Sequence, residues 1–257
     1  MKIIDAFPFY NELSLLKLHI TELYDVVDYF IVVEATKTFA GKDKKLYYDE
    51  NKKDFEKFHD KIIHIIVNDD RDFTNPYDRE NYHRCCINEG MKQINPNDDD
   101  LILISDTDEI ANCDVLNDLR ITGLNEIKIM EMDLYYYNIT CKIQGKWDFV
   151  KIMDYKNYKR YTPFQIREDL HAYKGVILNS IKNAGWHFSY FGNIDFIINK
   201  IESLPSQWVN VDFYKNKDRL KECIESHKHF IFDNIKIEYI DIKDNEFLPK
   251  NYKMILQ

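Results

Sequence analysis

Three short apolar runs, separated by amphipathic stretches, constrain the fold of this chain more than any other feature. They lie at 28–34 (Asp-Tyr-Phe-Ile-Val-Val-Glu), 62–67 (Ile-Ile-His-Ile-Ile-Val) and 101–105 (Leu-Ile-Leu-Ile-Ser). None shows the apolar–polar alternation of a sheet with one wet face. Strands of this kind are covered on both sides, which happens chiefly in parallel sheets whose crossover helices pack above and below. The stretches between them read as helices. Residues 11–24 place Leu15, Leu16, Leu18, Ile20 and Leu23 on one side, with Asn11 as the N-cap. Residues 51–59 form a charged helix, and 78–94 a helix opened by Asp78 and closed near Asn95-Pro96. With a first strand at 2–7, the order is βαβαβαβ. It predicts an α/β fold with a Rossmann-like, mixed but mostly parallel central sheet and helices on both faces. The second half is less regular. It reads as a long strand over 126–139 with a pairing segment at 147–155, a helix near 163–171 and a strand-like stretch at 182–191. Two more helices follow at 194–203 and 216–226. With no linker and no repeat, residues 1–257 are expected to form one continuous domain with a nucleotide-binding-like first half.

Charge and composition narrow the partners. Acidic residues outnumber basic ones, 44 to 35, for a net charge of -9. Sequence-independent nucleic-acid binding relies on basic surface, so no nucleic-acid partner is expected. A phosphate-ester substrate would need a local cluster of Arg and Lys, or a divalent cation, to offset repulsion. The aromatic content of 14% fits ring-shaped ligands, and equally fits a bias toward Tyr, Ile, Asn and Lys codons. Five cysteines, an odd number without zinc-site or redox spacing, read as reduced thiols in a reducing compartment. The opening apolar run is cut by Asp5 and Pro8, unlike a signal peptide, and no window is apolar for the length of a bilayer. The expectation is therefore no membrane span and a cytoplasmic location, which leaves the Asn138-Ile139-Thr140 sequon little weight.

The sharpest chemical signal is Ser105-Asp106-Thr107-Asp108-Glu109-Ile110, directly after the apolar run at 101–105. Ligands of open α/β sheets bind beyond the carboxyl ends of the strands. Two carboxylates one residue apart at such an end can share a hard cation, Mg²⁺ or Mn²⁺, that bridges a diphosphate. The competing reading is that Asp106 and Asp108 cap a helix starting near 112. Two enzyme classes carry Asp-x-Asp after a strand. In haloacid-dehalogenase-type phosphohydrolases the first Asp is a nucleophile and the motif sits on the first strand. In nucleotide-sugar glycosyltransferases it follows about a hundred residues of βα units, which agrees with position 106. A second signal is Asn183-Ala184-Gly185-Trp186-His187-Phe188-Ser189-Tyr190-Phe191-Gly192. His187 there reads as a third metal ligand or a diphosphate contact, with Trp186 or Tyr190 lining a sugar site, or else as a satisfied histidine on an edge strand.

Several motifs in order resemble glycosyltransferase family 17, the family of the β-1,4-mannosyl-glycoprotein N-acetylglucosaminyltransferases. They are Asp5-Ala6-Phe7-Pro8-Phe9-Tyr10-Asn11-Glu12-Leu13, the run Glu22 to Ala35, Thr38-Phe39-Ala40-Gly41-Lys42, Arg79-Glu80-Asn81-Tyr82-His83-Arg84, and the two signals above. The likeness covers about residues 3–205. It implies a GT-A fold with a nucleotide-sugar-binding half over 1–110 and an acceptor half over 111–257. It also implies Mn²⁺ or Mg²⁺, a UDP-sugar donor such as UDP-GlcNAc, and transfer with inversion to a glycan acceptor. On that mapping Asp106, Asp108 and His187 hold the metal, while Ala6, Phe7, Glu34, Arg84, Asp106 and Trp186 contact the donor. A strand-end Glu34 satisfied by a helix N-terminus, and a surface salt bridge for Arg84, are the competing readings. The base that accepts the acceptor's proton is sought first at Glu168 and Asp169, then at Asp133. Ser14 departs from the family, which more often has Asp there, and the N-terminal anchor of its vertebrate enzymes is not seen. A phosphohydrolase with Asp106 as nucleophile, and a non-catalytic glycan-binding module, are the alternatives.

Overall fold

The computed structural model describes residues 1–170 and 177–256, with Asp169 described by its backbone alone. Among these residues the strands are β1 (Ile3–Phe9), β2 (Tyr29–Ala35), β3 (Ile62–Val67), β4 (Leu101–Ile104), β5 (Glu109–Ala111), β6 (Lys128–Met130), β7 (Met132–Tyr136), β8 (Cys141–Trp147), β9 (Lys151–Asp154), β10 (Asn179–Ile181), β11 (Gly185–Ser189) and β12 (Ile237–Tyr239). They form a seven-stranded sheet of order β10-β6-β9-β4-β1-β2-β3 and a five-stranded sheet of order β12-β8-β7-β11-β5. In the larger sheet only β9 runs against its neighbours, β4 and β6. This is the mixed, mostly parallel α/β sheet expected from the apolar runs.

Strand alternation divides the core in two. Ile3, Phe7, Phe30, Val32, Leu101 and Leu103 face one layer, which includes Leu15, Leu16, Leu18, Ile20 and Leu23 of the helix Leu13–Leu23. Ile4, Ala6, Ile31, Val33, Ile102 and Ile104 face the other, with Ile87 and Met91 of the helix Ile87–Ile94. Each fully buried aliphatic or Phe side chain contributes about 1.5–3 kcal/mol, so the central strands are tightly specified. Gly90 lets that second helix lie close, since a Cβ there would stand 2.6 Å from Ile31 Cγ2.

Several boundaries differ from the sequence reading. Glu12, not Asn11, occupies the N-cap of Leu13–Leu23, with no side-chain cap bond. The helix expected over 78–94 is two helices, Pro76–Cys85 and Ile87–Ile94. Asn75 caps the first ahead of Pro76, so Asp78 sits inside the first turn. Residues Lys52–Phe58 are a 3₁₀ helix. The long strand at 126–139 breaks at Glu131, because β6 joins the large sheet and β7 the small one. The segment 147–155 likewise divides between the end of β8, on β7, and β9, on β4 and β6. The stretch near 163–171 contains a π-helical turn, Gln165–Asp169. Within the stretch expected to be strand-like at 182–191, β11 spans Gly185–Ser189 and is an internal strand between β7 and β5 rather than an edge.

Candidate active site

A cleft of about 340 Å³ opens beyond the carboxyl ends of β1, β2 and β4, where an open α/β sheet binds its ligands. Its floor is the β4–β5 connection carrying Asp106, Thr107 and Asp108. The capping role considered for these acids is not theirs: Asn112 accepts the Asp114 N–H and caps the helix Cys113–Thr122.

The two acids are each held by cations. Asp106 lies 2.8 Å from Arg84 and 2.9 Å from Arg167. Asp108 Oδ2 accepts a hydrogen bond from Lys200 at 2.7 Å, and Oδ1 lies 3.6 Å from His187 Nε2. Lys200 reaches Glu12 as well, at 3.3 Å. Burial alone would raise the pKa of both aspartates. For Asp106 the Arg167 and Arg84 guanidiniums outweigh it, and its carboxyl is held below the usual range. For Asp108 Lys200 and His187 do the same, holding its carboxyl well below that range. Lys200 and Arg167, although buried, are held firmly protonated by Asp108 and Asp106 respectively.

Glu109, fully buried, organises the wall beside them. It accepts hydrogen bonds from the Asp106 N–H at 2.7 Å, from Arg167 at 2.8 Å and from the Trp147 indole N–H. Trp147 thereby lies against His187 and Phe149, with ring centroids 4.3 and 4.6 Å away. Glu168 also faces the cleft, from the π-helical turn. Among the described residues its closest ion-pair contact is Arg167 Nε at 3.9 Å, and its side chain is 35% exposed. Every other carboxylate on the cleft has a cation within 3.3 Å: Glu12, Glu80, Asp106 and Asp108. Burial pushes the Glu80 carboxyl upward, and nearby Asp106 and Glu168 add to this against the pull of Arg84.

Of the residues singled out from the sequence, Arg84, Asp106, Asp108, Glu168 and His187 line the cleft together. Five others are corrected. Ala6 and Phe7 are buried in the two core layers, and the cleft is lined instead by Pro8, Phe9 and Tyr10 just beyond them. Glu34 accepts hydrogen bonds from the Tyr48 and Asp49 N–H groups and lies 3.0 Å from His64, so it serves a helix start and not the donor. Trp186 alternates with His187 along β11 and turns to the core, donating to the Phe247 carbonyl at 3.0 Å. Asp133 is buried on β7 and paired with Lys142 and Lys146. The side chain of Asp169 lies outside the described residues.

The expected metal set Asp106–Asp108–His187 is divided in the structure, Asp106 facing Arg84 and Arg167 while Asp108 faces His187. Among the described residues no three His, Cys, Asp or Glu side chains gather as a metal cage, because Asp106 is turned onto two guanidiniums. Asp108 and His187 do fit the group. Ligands about 2.1 Å from one cation stand about 3–3.5 Å apart, close to their separation. Small divalent cations are commonly held by one or two protein ligands with substrate phosphates completing the shell. His187 Nδ1 is buried without a hydrogen-bond partner among the described residues.

Lys200, Arg167, Glu109 and Trp147 were not singled out in the sequence. Glu109 lay within the Ser105–Ile110 motif and Arg167 beside Glu168, so position alone could have flagged both. Lys200 meets Asp108 across 92 residues of chain and leaves no local signal.

Residues 1–243 match the sequence profile of glycosyltransferase family 17. The chain belongs to glycosyltransferase family 17. This family 17 member has no match among curated proteins. The chain is similar at low identity to several solved structures. One is HddC from Yersinia pseudotuberculosis, at 11% identity and a TM-score of 0.42, covering 73% of this chain and 88% of that one. Another is a putative glucose-1-phosphate thymidylyltransferase from Bacillus anthracis, at 10% and 0.40, covering 72% and 88%. A third is the galactosyltransferase LgtC in complex with donor and acceptor sugar analogs, at 13% and 0.34, covering 99% and 94%. No helix among the described residues of this family 17 glycosyltransferase is long and apolar enough to cross a membrane.

Proposed function

We propose that this glycosyltransferase is a metal-dependent, inverting enzyme. It moves a sugar, GlcNAc from UDP-GlcNAc, onto a glycan hydroxyl and forms a β linkage. The observation that carries the reading is the pairing of Asp108 with His187 at 3.6 Å, in a cleft that also presents Arg84, Arg167 and Lys200. A carboxylate–imidazole pair suits Mn²⁺ or Mg²⁺, and three fixed cations suit a diphosphate. Residues 1–257 act as one catalytic domain on this reading, with Arg84, Asp106 and Asp108 from the donor half and Trp147, Glu168, His187 and Lys200 from the acceptor half.

When bound, the divalent cation supplies charge neutralisation to the departing diphosphate. The chain's own residues do the rest. Arg84, Arg167 and Lys200 are preset as cations and need no reorganisation as negative charge develops on UDP. Pro8, Phe9, Ala35, Thr38 and Phe39 form the apolar end of the cleft and take the nucleoside. Trp147 and Phe149 border the sugar and exclude water. The acceptor oxygen attacks the anomeric carbon, the bond to the diphosphate oxygen breaks, and Glu168 takes the hydroxyl proton. Glu168 is chosen because, among the described residues, it is the cleft carboxylate without a cation closer than 3.9 Å.

A phosphohydrolase reading draws no support from this site, since its nucleophile, Asp106, is committed to Arg84 and Arg167. The test is incubation with UDP-GlcNAc, Mn²⁺ and a set of glycoside acceptors, following UDP release and the anomeric configuration of the product. UDP release with a β-linked product is expected. Failure to release nucleotide from any UDP-sugar, with phosphate release from monoesters instead, overturns the reading.

A further inference from the structure

A second cluster of titratable groups lies directly behind the Asp106–Asp108 loop, and the mechanism above makes no use of it. His19, on the helix Leu13–Leu23, and Asp5, on β1, are both fully buried. His19 Nε2 lies 2.6 Å from Asp5 Oδ2, and His19 Nδ1 lies 2.9 Å from the Thr107 carbonyl oxygen. Ser105 Oγ donates to the remaining Asp5 oxygen at 2.9 Å. The rings of Phe7 and Phe30 pack on the imidazole, with centroids 4.5 and 6.4 Å away.

The donors and acceptors fix the protons. A carbonyl oxygen has none to give, so His19 Nδ1 carries a hydrogen and donates to Thr107. Nε2 then either holds a second hydrogen or receives one from Asp5. In both cases one proton lies between the pair, the pair is neutral overall, and every polar atom is satisfied without water. Burial opposes an imidazolium, but Asp5 outweighs it and holds the His19 pKa above its ordinary value.

Thr107 is the residue between the two acids, and it is fastened twice. Its carbonyl is held by His19, and its hydroxyl donates to the Pro8 carbonyl at 2.9 Å. On either side, the Ser105 N–H donates to the Ala6 carbonyl and the Phe188 N–H to the Asp108 carbonyl. We propose that His19 is a positioning residue. Through its hydrogen bond to the Thr107 carbonyl, backed by Asp5, it sets the angle at which Asp108 is presented to cation and diphosphate. The proposal rests on the reading of Asp108 given above.

Two substitutions separate this role from bulk stability. In Asp5→Asn the amide N–H donates to His19 Nε2 and the amide oxygen keeps the Ser105 bond, so a neutral His19 still donates from Nδ1. In His19→Gln one amide end cannot serve both Asp5 and Thr107. Affinity for UDP with Mn²⁺ is measured on the folded fraction of each, together with kcat and KM for UDP-GlcNAc and the ring ¹⁵N signals of His19. Asp5→Asn is expected within about threefold of the unsubstituted protein. His19→Gln is expected to lose tenfold or more in affinity, with the loss also in KM. Unchanged affinity per folded molecule in His19→Gln overturns the proposal. Should that variant not fold, the ring signals decide: a protonated Nδ1 in the unsubstituted protein and in Asp5→Asn is expected, and a bare Nδ1 in either overturns the proposal. If the unsubstituted protein binds no UDP with Mn²⁺ while Nδ1 is protonated, it is the donor reading that falls and the His19–Thr107 bond that stands.

Discussion

Lys200 Nζ lies 2.7 Å from Asp108 Oδ2, on the opposite oxygen from the one His187 faces at 3.6 Å. The carboxylate is thus already neutralised before any ligand arrives, by an ammonium that is itself buried between Asp108 and Glu12. Removing that ammonium leaves two buried carboxylates short of a cation, a change that typically costs about 3–5 kcal/mol. Lys200→Met is therefore expected to lower the melting temperature, and Mn²⁺ to restore more of it than Mn²⁺ adds to the unsubstituted protein. Thermal unfolding with and without Mn²⁺ measures this, and an equal response in both proteins contradicts it.

Glu168→Gln keeps the size of the side chain and removes its capacity to take a proton. The expected loss is about 10²–10⁴-fold in kcat, the usual worth of a general base. UDP affinity in Mn²⁺ should stay within about twofold, because the diphosphate cations are untouched. A variant with normal kcat would return the search for the base to the neighbouring residues.

His229 offers a stability test away from the cleft. It lies 4.3 Å from the Tyr136 ring, and Nδ1 accepts from the Ile231 and Phe232 N–H groups, so the ring is neutral. Burial pushes its pKa down to about 4, against 6.5 for an ordinary His. Between these values the unfolded chain binds a proton that the folded chain does not. Stability therefore falls as pH drops from about 6.5 to 4, by on the order of 3 kcal/mol, and this contribution levels off below. His229→Asn can offer an acceptor near the place of Nδ1 without titrating. Urea unfolding at several pH values should show a shallower acid slope for the variant over that window.

Gly185 has φ +152, and a Cβ there would meet the Ile110 carbonyl oxygen at 2.2 Å. Gly185→Ala must part β11 from β5, the strand that follows Asp108. A loss of about 2–4 kcal/mol is expected from strain and overpacking. It should appear as a lower urea midpoint with an unchanged slope.

The central strands β2 and β4 were readable because burial on both faces leaves an unbroken apolar run; β3 carries the same kind of run but is an edge strand, with Ile66 46% exposed. The break at Glu131 was not readable, since residues 128–136 interleave charged and apolar side chains as an extended strand does, whether they stay in one sheet or cross to another. Asp106, Asp108 and His187 were found because local motifs mark them. The sequence points to Trp186 as the cleft tryptophan, and the structure places Trp147 there instead. Both are tryptophans beside aromatic neighbours, and only the pairing of β11 with β5 and β7 decides that His187 faces the cleft and Trp186 the core. Glu34 looked like a ligand for the same reason that it is not one: a lone acid at a strand end either meets a ligand or caps a helix, and the helix Tyr47–Glu50 reaches it first.

The most direct test of the account is the melting temperature with UDP and UDP-GlcNAc, each with and without Mn²⁺, in the unsubstituted protein and in Asp108→Ala. A ligand that binds only the folded state raises the melting temperature by mass action. The account predicts a rise with nucleotide and Mn²⁺ together that exceeds either alone and is lost in Asp108→Ala. No rise with any UDP compound, or the same rise in Asp108→Ala, would contradict it.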